Sequence, residues 1–507
     1  MSAGSAAASR QDVIVAGAGV AGLAAAVALA SDGAAVTLLE RRPQIGGRAY
    51  SYLHPALEEV VDSQHVLLGC CTNLIDLCQQ AGSADRIRWY DKLTFLEPGG
   101  RRSVLQPGGL PAPAHQTLSF LKAPMLSLRD KAGIALGLTE FLRGYPADDA
   151  ESFATWLKRT KQTDRAVRHF WEPVVAGALN DVFERCSTKY AGKVFHESFL
   201  RSAEGGRLGI PAAPLTEFFA PVLDLARAKG VRVELKAGVD AVSPAAGGGW
   251  VVQCGDVRYE AANVVLAVDF KQAGKLLGTA ETAEAFLAAP ITTVHLWFDR
   301  EVVDVDHAVL LDTRIQWMFA KSRIRGWAAE RGSYLELVIS ASWPELEMGR
   351  GEILQPALEE AMQFFPAIRG AKLVKSTVLK EARATFSVTP GLDRVRPGNV
   401  TGRAGVFLAG DWTRTEWPST MEGAVRSGRL AAGGVTGEPL KFLAPELPAQ
   451  GLMRWLSGSV PPFSGGVDGW GGASAGWSPV CIAGWQAKRQ TQRGLGSKGV
   501  FGGAKVQ

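Results

Sequence analysis

The stretch VIVAGAGVAGLAAAVALA, residues 13–30, constrains the fold of this chain more than any other feature. It opens as an apolar run, breaks at Gly17, Gly19 and Gly22, and continues rich in alanine and without charge. A second apolar run, AAVTLLE, ends in Glu40. Strand, glycine turn, helix, strand and acid, in that order, make a βαβ unit that binds a dinucleotide. Gly17 permits the tight turn, Gly19 lets the backbone approach a pyrophosphate, and Gly22 lets helix and strand pack closely. Ala18 and Leu23 share this turn and helix start, whose free N–H groups favour an anion. Glu40 is placed to accept from ribose hydroxyls.

The residues that follow, RRPQIGGRAYSY, bear on which dinucleotide is bound. Gly46 and Gly47 suit a second close approach of backbone to pyrophosphate, and Arg48, with Arg41 beside the acid, offers guanidinium charge. The plain alternative is a surface turn. Residues 40–48 resemble the FAD-binding signature of glutathione-reductase-type and amine-oxidase-type flavoproteins, which complete the flavin site from the far end of the chain. The matching segment here is VFLAGDWTRTEWPSTMEGAVRSGRLAA, residues 406–432, which reads as a strand, a Gly-Asp turn and a small-residue helix. The resemblance implies that Gly410 and Asp411 meet the ribityl chain or pyrophosphate. It also implies that the helix start at Met421, Glu422, Gly423 and Ala424 points at the isoalloxazine, and that a strand near Val239 passes the adenine. A turn aspartate, a helix-capping glutamate and a core valine are the plain readings of Asp411, Glu422 and Val239.

With 507 residues, 47% of them hydrophobic, the chain can bury a sizeable core in two or three substructures. The fold class expected is α/β, a Rossmann-like FAD-binding domain with an α+β cap. The FAD domain is discontinuous, over residues 11–104, 205–284 and 385–440. Residues 105–204, with helical periodicity, and 285–384, which mix strands with a helix, make the substrate cap. Phe141, Trp156, Phe170 and Trp171 are candidates to line a lipid tunnel there, with core packing the plainer reading. Residues 457–507, rich in Gly and Ser, read as a disordered tail. Trp470, Trp477, Trp485 and late basic residues in it leave a weak membrane-adhesion reading open.

Composition excludes several alternatives. No uninterrupted apolar run is long enough to span a bilayer, and the first ten residues do not resemble a secretory signal. The six cysteines show no paired C-x-x-C spacing, which argues against a disulfide framework and a zinc site and for a reducing compartment. Of the formal charge of +5, most sits in the tail, so a nucleic-acid partner is not expected.

Four segments carry a narrower resemblance: QHVLLGCCTNLIDLCQQAG, FWEPVVAGALND, TTVHLWFDR with IQWMF, and the LAGDWTRTEWPSTMEGAVRSGRLAA stretch. Together they are similar to the hydroxysqualene dehydroxylase family, squalene-associated FAD enzymes of hopanoid synthesis within the amine-oxidase and phytoene-desaturase superfamily. The chain departs from that pattern at VVDSQH, residues 60–65, and in its tail. The resemblance implies reductive removal of an allylic hydroxyl, turning hydroxysqualene into squalene and water at the expense of reduced FAD. The protein then supplies an acid, a dry apolar tunnel and orientation. His65, with Gln64, is the first candidate acid, and Glu172 the second, as a buried carboxyl that could hold a proton. Trp171, Asn180 and Gln316 are candidates for the substrate side. A backbone-satisfied histidine, a helix-surface glutamate and core or turn polar groups are the structural alternatives. The rival activities are a carotenoid-type desaturase or amine oxidase running the flavin oxidatively, and a scaffold that only holds FAD. A cytoplasmic protein touching the inner membrane face peripherally is expected from so lipophilic a substrate. No reductant for FAD is legible.

Overall fold

The computed structural model describes residues 11–279 and 283–456. The tail read as disordered lies outside them. Strand Gln11–Ala16 enters the glycine turn, helix Val20–Ser31 leaves it, and strand Val36–Glu40 returns parallel to the first. With no charge on any face, the helix is buried along almost its whole length. It meets helix Met421–Thr436 at close range, for a Cβ on Gly428 would stand 2.1 Å from the Ala21 carbonyl oxygen. Glycine against alanine lets the two backbones approach, and this joins the two ends of the described chain.

Arg232–Leu235 and Val257–Leu266 extend the sheet as parallel neighbours, and Val406–Leu408 pairs parallel with the end of the latter. Trp250–Cys254 and Ala241–Pro244 add two antiparallel strands on the other branch. Seven strands from three separated stretches thus make one sheet, with the glycine turn at the carboxyl end of its central strand.

A second seven-stranded sheet runs in the order Leu373–Phe386, Ala288–Phe298, Ser333–Ser340, Trp317–Ala320, His307–Leu310, Leu93–Leu96, Arg102–Leu105. All its pairs are antiparallel except His307–Leu310 with Leu93–Leu96. The hairpin Leu93–Leu105 therefore belongs here and not with the dinucleotide-binding sheet, which moves the expected boundary at residue 104 back by about a dozen positions. Its Phe95 and Leu105 pack into the apolar cluster that also holds Phe170 and Trp171.

The remaining cap is helical. Helix Asp164–Ala166 continues through a wider π turn, Val167–Trp171, into Glu172–Leu179. The turn widens where Pro173 has no N–H to give the carbonyl four residues back. Phe153, Trp156, Phe170, Trp171 and Phe195 pack ring to ring, with centroids 4.8 Å apart for Trp171 and Phe195 and 5.0 Å for Phe153 and Trp156. These rings are buried and none lines the main cavity, so they pack as core. Among the described residues no helix is long and apolar enough to cross a membrane.

Candidate active site

Three bare backbone segments meet at the carboxyl end of the first sheet. The Gly46 amide donates to the Ala18 carbonyl at 2.9 Å, which seats the second glycine pair on the first turn. Glu40 holds both together, accepting from the Ala18 amide and the Arg42 amide, each at 2.8 Å. Gly17, at φ +106°, and Gly22 are required by the protein itself: their Cβ atoms would lie 2.3 Å from the Ala267 oxygen and 1.8 Å from the Gly17 oxygen. Gly19 differs. A Cβ there would meet nothing nearer than the Gly47 Cα at 3.7 Å, an ordinary contact. Packing does not explain its glycine, whereas a ligand lying against the turn does.

The far end of the chain closes this cradle. Asp411 is buried; Arg48 Nη2 lies 2.5 Å from its Oδ1, and the Ser419 hydroxyl donates to Oδ2 at 2.5 Å. Burial opposes its ionisation, but Arg48 wins and lowers the carboxyl below its ordinary range. Gly410 bends at φ +145° immediately before it. Arg396, fully buried, ties the loop by donating to the Asp411 and Trp417 carbonyls at 2.9 Å. Thr420 then caps helix Met421–Thr436, its hydroxyl accepting from the Gly423 amide at 3.1 Å.

Beyond that helix start lies a cavity of about 190 Å³. A single water needs roughly 10–15 Å³ by this measure, so the space suits an organic ligand. Val66, Leu68, Leu93, Phe95, Val174 and Leu208 make apolar walls, and Thr420 and Met421 bound it at the flavin-side helix. Asp91, Lys92, Gln116 and Ser198 are among the polar residues of the lining. Lys193 and Glu197, one helical turn apart, line it together with Trp417 and Pro418. Lys193 Nζ donates to the Tyr145 hydroxyl at 2.8 Å and sits 4.8 Å from the Trp417 ring centroid. Burial works against its charge, but Tyr145 and Glu197 outweigh it and raise the ammonium above the usual lysine range. Trp317 Nε1, on the wall, is a buried donor with no partner. Cys70 and Cys71 also line the cavity, and the Cys71 neighbour and burial push the Cys70 thiol well up, so it stays protonated.

Several residues singled out in the sequence stand elsewhere. His65 is half-buried in a loop beside the cavity, its Nδ1 against the Ser63 carbonyl at 2.9 Å, and burial lowers its pKa; Val66 to Leu68, not His65, form the wall. The Gln64 amide donates to Glu336 at 2.7 Å. Glu172 is exposed on the outer side of its helix while Pro173 and Val174 face inward, and the modest burial it has raises its carboxyl without bringing it to the cavity. Trp171 is core, with Nε1 donating to Gln162. Asn180 is a left-handed helix cap, φ 54°, with its amide spent on Thr385, Ala289 and the Ala341 amide. Gln316 Oε1 accepts from the Ser340 amide at 2.8 Å, and strand alternation gives the cavity to its neighbour Trp317. These placements remove Glu172, Trp171, Asn180 and Gln316 from the substrate side.

On the cofactor side, Leu23 is wholly buried core, and Arg41 is exposed; Arg42 is the residue that braces Gly47, donating to its carbonyl at 2.9 Å. Val239 lies in the loop between strands Arg232–Leu235 and Ala241–Pro244, not on a strand, and its carbonyl accepts from Gln272. The Glu422 carboxylate turns away to cap helix Thr72–Gln80 through the Asn73 and Leu74 amides, so Met421, Gly423 and Ala424 present backbone at the helix start. Glu97, His169 and Asp312 converge like metal ligands, but Arg101 and Arg165 pair with Glu97 and Arg168 with Asp312. Lys193, Glu197, Trp317, Trp417 and Arg396 were not anticipated; the only sequence trace is the Lys193 to Glu197 spacing.

A bare cradle for an extended dinucleotide, closed from the far end of the chain beside an apolar chamber, defines a flavin-dependent oxidoreductase. A family model described as flavin containing amine oxidoreductase matches residues 20–436, and the chain belongs to that family, with FAD as its cofactor. A probable zeta-carotene desaturase of Synechococcus elongatus is 28% identical over 472 residues, covering 83% of this chain and 97% of that protein. The 15-cis-phytoene desaturase of Solanum lycopersicum is 25% identical over 83% of this chain and 77% of its own. Among solved structures, a putative protoporphyrinogen oxidase from Exiguobacterium aligns with a TM-score of 0.63 at 19% identity, over 86% of this chain and 99% of that one. Putrescine oxidase bound to putrescine aligns at 0.64 and 18% identity, over 84% and 99%. Both show the shared fold.

Proposed function

We propose that this protein removes the allylic hydroxyl of hydroxysqualene reductively, giving squalene and water. The observation that carries this reading is Lys193, a buried ammonium that lines a mostly apolar cavity beside Glu197 and the start of helix Met421–Thr436. Loss of an allylic hydroxyl needs a proton on the departing oxygen and dry surroundings for the cation left behind. As the C–O bond breaks with its electron pair going to oxygen, the departing hydroxide becomes basic enough to take a proton from the Lys193 ammonium, and water leaves. Trp317 Nε1 orients the hydroxyl beforehand. The cradle of Gly17 to Gly22, Glu40, Gly46 and Gly47 would hold the dinucleotide, Asp411 and Arg48 would close over it, and the start of helix Met421–Thr436 would meet its ring. FAD, when bound and reduced, supplies the hydride that replaces the hydroxyl.

The similarity to proteins named as carotenoid desaturases over 83% of the chain favours a second reading, oxidative desaturation of a long polyene by the same frame. One anaerobic experiment separates them. Reduced holoenzyme mixed with hydroxysqualene is expected to reoxidise with stoichiometric squalene by mass spectrometry. Flavin that stays reduced, with oxidised holoenzyme instead bleached by phytoene or zeta-carotene, replaces the first reading with the second.

A further inference from the structure

Fifteen large apolar side chains are exposed among the described residues, and they are not spread evenly. Leu110, Leu118, Leu121 and Leu128 fall within one short stretch of the cap, and Leu452 and Trp455 join them in space, because the Leu452 amide donates to the Ala112 carbonyl at 2.9 Å. Trp455 is 87% and Leu128 80% exposed, values that a soluble surface has no reason to hold. Helix Thr117–Lys122 is apolar on both sides: Phe120 packs inward on Phe170 at 5.8 Å, and Leu118 and Leu121 face out. The next helix, Leu128–Thr139, is tied to it by Lys131 Nζ donating to the Leu121 carbonyl at 2.7 Å.

The charged side chains that these segments expose are basic. Lys122, Arg129 and Arg454 are exposed, and none has a carboxylate partner among the described residues. The single acid on the two helices, Asp130, is buried and spent on its capping box with Ser127. The apolar cavity reaches toward this face, since Gln116, directly before the first of these helices, lines it together with Leu105 and Pro107.

We infer that this face docks on an anionic bilayer, with the leucines and Trp455 in the acyl boundary and Lys122, Arg129 and Arg454 at the headgroups, so that a lipophilic substrate passes from membrane to cavity without crossing water. Apolar insertion and cationic attraction are the two terms that hold a peripheral protein on lipid. The inference rests on the proposed lipophilic substrate for its purpose, but on the surface alone for its binding.

The test is cosedimentation of the full-length holoprotein with phosphatidylcholine vesicles containing phosphatidylglycerol, against phosphatidylcholine alone. Binding is expected to need the anionic lipid and to weaken as salt rises. Leu118→Asp with Leu121→Asp is expected to lower the partition coefficient at least about tenfold, and Lys122→Glu with Arg129→Glu by a similar factor. Both variants should keep bound flavin and turnover of detergent-dispersed substrate. Wild-type protein that ignores vesicles, or variants that bind as wild type does, overturn the inference. So does a change in oligomeric state on substitution with no change in vesicle binding, which assigns the face to a second copy of the chain. Vesicle binding that behaves as described while hydroxysqualene is not turned over upholds the docking face and rejects only the proposed reaction.

Discussion

The two seven-stranded sheets bury different things. The first packs aliphatic strands against alanine- and glycine-rich helices, and its chemistry is done by backbone: amides at turns and helix starts, with Glu40 and Asp411 as braces. The second keeps charge inside it. Lys321 Nζ reaches the Asp62 carbonyl at 2.7 Å and the Glu336 carboxylate at 2.5 Å, and Arg325 joins Asp62 at 2.8 Å, with Lys321, Asp62 and Glu336 all buried. A neighbouring chain of hydrogen bonds runs from Thr293 through His295 to the Tyr334 hydroxyl, each link 2.9 Å. One sheet is specified by what is missing from its side chains, the other by polar groups that must find one another. The first kind tolerates no added atom where backbones touch, as at Gly17, Gly22 and Gly428, and the second tolerates no removed partner.

Gly22→Ala is the severest way to break the first sheet. A methyl group 1.8 Å from the Gly17 oxygen cannot be accommodated, and the expected outcome is insoluble protein or apoprotein without flavin absorbance. Gly19→Ala sharpens the point, because it should fold with an unchanged melting temperature and yet bind FAD more weakly in a fluorescence titration.

Lys193→Met is expected to lower turnover on the order of 10²–10⁴-fold, the usual worth of a positioned acid, with flavin still bound and a lower melting temperature, since buried Glu197 keeps only Arg201 as its cation. Glu172→Gln serves as its control and should stay within about twofold, since Glu172 faces solvent.

In the second sheet, Lys321→Met leaves Asp62 and Glu336 buried together without their cation, and should cost about 3–5 kcal/mol in denaturant unfolding. The same cluster sets an acid limit. Burial alone would raise the Asp62 carboxyl, but Lys321 and Arg325 bring it down to about 2. Its folded pKa is below the unfolded value of about 3.9, so its contribution is complete above that value and is lost as pH falls toward about 2. Melting temperature followed from pH 5 to 2 should fall over that window in the wild type and much less in Asp62→Asn.

Asn180→Ala should cost about 1–3 kcal/mol for the unpaired Ala341 amide with little change in turnover, because the Asn180 amide ties the helix end to Ala289, Thr385 and Ala341 of the second sheet and does not line the cavity.

How much was legible follows from the same contrast. The glycine turn, Glu40, the second glycine pair and the Gly-Asp turn are local patterns whose meaning depends on neighbours a few residues away, and all of them converge in the structure. In the cap, the residues chosen from the sequence stand next to those that line the cavity. Gln64 and His65 were chosen where Val66 to Leu68 make the wall, Glu172 where Pro173 and Val174 do, and Gln316 where Trp317 does. Lys193 was missed because a lysine on an amphipathic helix has the pattern of a solvent-exposed one until a second helix and the Trp417 loop cover it.

By itself, then, the sequence determined the dinucleotide frame, because backbone conformation and the absence of side chains are set by local residue identity. Only the tertiary structure decided which side of each cap element meets the cavity, which of many charges are buried, and which leucines face outward. Those are properties of surfaces brought together from distant parts of the chain, and no periodicity within one segment records what will pack against it.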